Sequence, residues 1–184
     1  MTRLARVVQD ALDHLDWTAE IADDEAAGQS HLATDAFIDD QPCGVFIDTD
    51  ERLEAISVYI YPPFQVKPAY YPEACLLINA INVQARHGHL EIPPESRKVR
   101  LVVSAGIEGV TPTGLFVVRM LQFGDAILSR WMESLAAVAV SGRPAKEVLA
   151  ARANKEAAAE HAQEGGEGSA PAAVSNSANP GTLH

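Results

Sequence analysis

"LLINAINVQARHGHLEI", residues 76–92, is a helix that runs straight into a strand. Leu77, Ile78, Ile81 and Ala85 recur at helical spacing, and "HLEI" after Gly88 alternates as a strand does. Gly88 fits the residue just past a helix end. Asn79 and Asn82 lie three apart inside the run, beside its apolar stripe, and His87 and His89 flank the glycine. Whether this stretch is a site or a seam depends on the elements on either side of it.

Upstream, residues 3–16 carry Leu4, Val7, Val8, Ala11, Leu12 and Leu15 on one helical face, opposite Asp10, Asp13 and Asp16. Trp17 anchors the exit of this helix. From Thr18 to Tyr61 the period changes to two. "HLATDAFID", "CGVFID" and "EAISVYIY" are rich in β-branched and aromatic residues, and "DDQPCG" and "DTDERL" read as the turns between them. A weaker strand, "TAEIA", precedes them, so the segment predicts an antiparallel meander. "YPPFQVKPAYYP" places four prolines in twelve residues and breaks the sheet pattern. Pro72 then suits the first turn of the helix over about 72–87.

Downstream, "HLEIP" and "KVRLVVSAG" form a hairpin through "PESR". "VTPTG" predicts a helix start with Thr111 as N-cap and Pro112 as its first residue. That helix, about 112–140, carries two stripes. Val117, Leu121, Gly124, Leu128, Trp131, Leu135 and Val138 form one; Phe116, Met120, Phe123 and Ile127 form the other. A helix this apolar on two faces is expected to be buried on two faces, by the sheet and by a second subunit, so a homodimer is expected. Gly142 ends it. The expected organisation is an α+β domain over 1–142, an exposed Ala-, Glu- and Lys-rich helix over 143–163, and a disordered, dispensable tail over 164–184. Helix, meander, helix, hairpin and long helix segregate along the chain, which predicts α+β rather than a nucleotide-binding α/β fold.

This order resembles the YbjN family, described as bacterial sensory transduction regulators. That family shares an α+β layout with the class I type III secretion chaperones. The resemblance is carried by "EAISVYIYPPFQV" closing the meander, by Asn79, Asn82, Gly88 and Leu90 in the helix-to-strand stretch, by "VRLVVSAGI" after a charged hairpin, and by the final "SLAAVAVSG". It covers about residues 3–142 and contains no catalytic fingerprint. It implies a bacterial, non-enzymatic regulator that binds a protein or peptide, through an open sheet face or edge and an apolar helix surface. A secretion chaperone proper is one alternative. An enzyme or small-ligand module with an unrecognised site is the other.

Composition fits these expectations. With 184 residues and 47% hydrophobic content the chain can build one substantial core. A net charge of -11 disfavours nucleic acid and acidic membranes as partners. Cys43 and Cys75 have no metal-ligand spacing and make no disulfide framework. No signal peptide and no apolar run of roughly 18 residues is found, so a cytoplasmic protein is expected. The His87–Gly88–His89 pair is one ligand short of a catalytic zinc site, and "DTDE" at 48–51 lacks the turn glycine and distal glutamate of a calcium loop. Asp10 and His14, one helical turn apart, have no nucleophile in a recognisable context. The two glycines of "SAGIEG" serve a strand-to-helix turn, and there is no phosphate loop and no nucleophile elbow. No catalytic residue, metal or cofactor is expected. The surface expected to meet a partner or second subunit comprises Tyr61, Phe64, Tyr70, Tyr71, Asn79, Asn82 and the Phe116–Ile127 stripe. Two questions stay open: whether the aromatic loop is a lid or a docking surface, and whether the asparagines bond the helix–sheet seam or a partner.

Overall fold

The computed structural model describes residues 1–164. Helix α1 (Arg3–His14) leads into four antiparallel strands, β1 (Glu20–Asp24), β2 (Gln29–Ile38), β3 (Gln41–Asp50) and β4 (Ala55–Tyr61). A short 3-10 turn at Pro68–Tyr70 precedes α2 (Tyr71–Gln84). The hairpin β5 (His89–Glu91) and β6 (Arg100–Gly106) follows, then α3 (Gly114–Ala139) and α4 (Ala145–Glu164). All six strands form one antiparallel sheet in the order β1-β2-β3-β4-β6-β5. The α+β fold and the element order are those the sequence predicts.

The meander follows from its turns. Asp39 and Asp40 both adopt positive φ, 48° and 60°, and close β2 onto β3 with a two-residue loop whose twist suits a hairpin. The next turn starts later than "DTDE" suggests, because Asp48 and Asp50 are still paired with β4. Asp50 instead caps the turn. Its Oδ1 accepts from the backbone N–H groups of Arg52 and Leu53, each at 2.9 Å, and its Oδ2 from Gln29 Nε2 at 2.8 Å. These bonds, Gln29 first, hold its carboxyl below the usual range.

The core lies between one sheet face and α1, α2 and α3. Alternate strand residues such as Leu32, Ile47, Val58 and Leu101 are buried against Leu4, Leu12, Leu77 and Leu128. Every residue of the first α3 stripe is buried. The crossing is close at Gly124, where a Cβ would lie 2.5 Å from Ile60 Cδ1 and 3.1 Å from Leu101 Cδ2. Burial pushes the Cys43 thiol up to about 11, with Asp125 adding to the shift.

Three boundaries differ from expectation. The N-cap of α3 is Thr113, not Thr111, and Pro112 precedes the helix. Gly114 sits so close to α1 that a Cβ would lie 2.9 Å from the Ala11 nitrogen, so the helix–helix crossing fixes this start. Helix α2 ends at Gln84 rather than near 87, with Ala85 extended at its C-cap. Gly88 is therefore not that cap. It is where the chain passes against β6: a Cβ there would lie 2.9 Å from the Val102 carbonyl oxygen.

The chain divides into a unit spanning 1–149 and a second beginning at Ala150. Within the first, α4 begins with Ala145 donating its N–H to Glu73 at 2.7 Å, and Val148 is buried. The described part of the second is the remainder of α4, a mostly exposed helix that includes an Arg152–Glu156 ion pair at 3.0 Å. The tail expected over 164–184 lies, beyond Glu164, outside the described residues.

Candidate functional site

The two asparagines separate cleanly. Asn82 Nδ2 donates to the Leu90 carbonyl at 2.9 Å, and the Leu90 N–H donates to Asn82 Oδ1 at 2.8 Å. One amide side chain thus acts as a strand neighbour for Leu90 and fixes β5 to α2. Asn79, further round the helix from the buried stripe, is exposed near Leu76 and Val83, which are 59% and 80% exposed.

The aromatic residues fall into two groups. Phe64, Tyr70 and Tyr71 turn inward and pack on the core. Tyr71 donates its hydroxyl to the Ile92 carbonyl at 3.1 Å. Tyr70 lies over Gly142, where φ is +71° and a Cβ would meet the ring at 2.4 Å. Tyr61 belongs to the helix-free face of the sheet. Its ring meets Phe46 edge-on at 5.4 Å, and its hydroxyl accepts from Arg100 at 3.3 Å. Strand register continues this face as a cross-strand row, Ala33–Phe46–Tyr59–Val102. Beside it lies an open trough of about 650 Å³ lined by Asp16, Trp17, Glu20, Asp35 and Phe46.

The second α3 stripe builds a groove. Met120 is buried, Phe116 and Ile127 are half-buried, and Phe123 is 37% exposed. Much of its cover comes from the segment between α2 and β5. The His87 ring stacks on Phe123 with centroids 4.3 Å apart, and Gly88 lies against β6 and Ile127. Phe116, Met120 and Phe123 then face Val103 and Ala105 across a cavity of about 390 Å³. An adjoining cavity of about 240 Å³ continues to Ile127 and Trp131.

One wall of that groove is an incomplete sheet edge. Strand β5 pairs only with Arg100–Val102 of β6. Residues Val103–Gly106 have β4 on one side; on the other, Gly88 lies against Val103, and among the described residues no strand pairs there. Their outward N–H and C=O groups are those a further strand would use. Sequence reasoning named the α3 residues of this groove but not the β6 edge. The signal is the unequal hairpin: "HLEIP" is too short to cover "KVRLVVSAG".

Among the described residues no three His, Cys, Asp or Glu side chains come together as a metal-ion site. No helix among them is long and apolar enough to cross a membrane.

No family model and no curated protein matches the chain by sequence. Among solved structures, it is similar to YbjN from E. coli, a candidate transcription regulator, at 15% identity and a TM-score of 0.48; 71% of this chain and 92% of that one are covered. It is also similar to a chain of the HopA1–SchA chaperone–effector complex, at 16% identity and a TM-score of 0.45, over 69% of this chain and 90% of that one.

Proposed function

We propose that this chain is a non-enzymatic, cytoplasmic regulator of YbjN type that binds an extended segment of a partner protein. The segment adds as a strand beside Val103–Gly106 and seats alternate side chains between Phe116, Met120 and Phe123. The carrying observation is the unpaired stretch of β6 facing an apolar helix surface. Backbone pairing supplies affinity in such a site and the helix surface supplies side-chain selection. A secretion chaperone proper would use the same groove for an effector. The enzymatic alternative has less support, because the trough on the open sheet face is lined by carboxylates, aromatic rings, alanines and two threonines, Thr18 and Thr34, with no histidine, cysteine or lysine beside them.

The test is peptide selection from a random displayed library. Selected peptides should perturb the amides of Val103–Gly106 and the Met120 methyl in NMR spectra. They should bind Phe123→Asp at least tenfold more weakly, since the carboxylate would be desolvated beneath the peptide. Peptides that map instead to Phe46 and Tyr59 would contradict the reading.

A homodimer remains part of the proposal, with its surface moved. The α3 stripe is covered in part from within the chain, whereas α2 presents Leu76, Asn79 and Val83 on one exposed line. A second copy packed on that line would remove the two exposed aliphatic side chains from water.

A further inference from the structure

We infer that the segment taken by the β6–α3 groove is acidic: an extended peptide with apolar residues at alternate positions and carboxylates between them. This rests on the strand-addition reading. The chain has 25 Asp and Glu against 14 Lys and Arg, so a surface drawn at random from it would carry mostly carboxylates. The two adjoining cavities that share Arg86, His87 and Phe123 reverse that balance. Their lining includes Arg86, Arg130, His87 and His89 and no Asp or Glu. Arg119 is exposed on α3 between Phe116 and Phe123, with its guanidinium donating to Gln122 Oε1 at 3.2 Å. The nearby carboxylate of Glu91 is ion-paired to Arg100 and also lies 3.9 Å from His89 Nε2, so the positive rim rests on Arg86 and Arg119. A local positive rim on a polyanionic molecule repels other acidic surfaces least at this place and attracts anionic segments to it.

The shape of the groove selects among anions. An open backbone edge complements the peptide backbone, which presents donors and acceptors at strand spacing. A nucleic-acid strand would need exposed aromatic faces for base stacking. The Phe123 face is instead occupied by the His87 ring. A protein segment is therefore the occupant that uses the rim, the apolar floor and the edge together.

The test uses three capped nine-residue peptides with valine and threonine at alternate positions. The intervening positions carry glutamate in one, glutamine in the second and lysine in the third. Affinities are read by NMR titration of the full chain. At low salt the glutamate peptide should bind roughly fivefold more tightly than the glutamine peptide, and the lysine peptide most weakly, with the differences shrinking at about 0.5 M salt. Arg86→Gln and Arg119→Gln should each lower the ratio of glutamate-peptide to glutamine-peptide affinity by about twofold or more at low salt. Equal binding of all three at Val103–Gly106 would overturn the acidic partner and leave the groove standing. Absence of shifts there for every peptide would remove the groove reading and this inference with it. Preference for the lysine peptide, tighter binding of an oligothymidylate, or shifts at Val103–Gly106 on simple dilution, the sign of a second copy in the groove, would each overturn it.

Discussion

Asn82 and Asn79 show how much one position can differ from its neighbour three residues on. Asn82 supplies both partners of the Leu90 backbone, and Leu90 is buried. Replacing it by leucine keeps the bulk and leaves a buried N–H and C=O without partners, at about 1–3 kcal/mol each. Asn82→Leu should therefore lower the unfolding free energy by about 2–6 kcal/mol in a urea titration, while Asn79→Ala should change it by less than about 0.5 kcal/mol. Equal effects would contradict the seam described here. The sequence leaves this difference open, because both asparagines flank the same apolar stripe. What separates them is the return path of the chain, which brings Leu90 under Asn82 and not under Asn79. The same limit applies to Gly88. A glycine after a helical run reads as a cap, and only the approach of β6 shows why no side chain fits there.

At the scale of elements, periodicity alone predicts α1, the strands of the meander and the fully buried first stripe of α3. It misplaces the start of α3, because Thr111 followed by Pro112 reads as a cap and a first helical residue. The contact of Gly114 with α1 starts the helix after Thr113 instead. Close packing also explains a glycine in the middle of a long helix. Gly124→Ala gains about 1 kcal/mol of helix propensity. The added methyl would press on Ile60 and Leu101, and overpacking of this kind costs about 1–3 kcal/mol. A net destabilisation is expected, and Ile60→Val, which removes the methyl in closest approach, should restore most of it. If Gly124→Ala were as stable as the parent, α3 would not cross the sheet at this separation. Element length carries a further message. Strand β5 is three residues long and β6 is seven, so part of β6 is left without a neighbour. The composition of the hairpin shows this mismatch, but its place beside Phe116, Met120 and Phe123 follows only from how α3 packs.

For the whole molecule, the question is what meets the surfaces the fold leaves open. The reasoning from sequence asks for a second subunit over the Phe116–Ile127 stripe, because it does not anticipate that residues 86–89 fold back across it. The dimer proposed above uses the exposed line on α2 instead. Light scattering at micromolar concentration should give twice the chain mass for the parent and the chain mass for Val83→Glu. A monomeric parent would end the dimer proposal without touching the peptide groove. The groove itself is tested most directly by amide hydrogen exchange of the chain with and without a display-selected peptide. Alternate amides of Val103–Gly106, those directed away from β4, should exchange at least tenfold more slowly in the complex, as expected of N–H groups newly paired in a sheet. Unchanged exchange along Val103–Gly106, with protection appearing on β1 or on the helix-free face instead, would contradict the account.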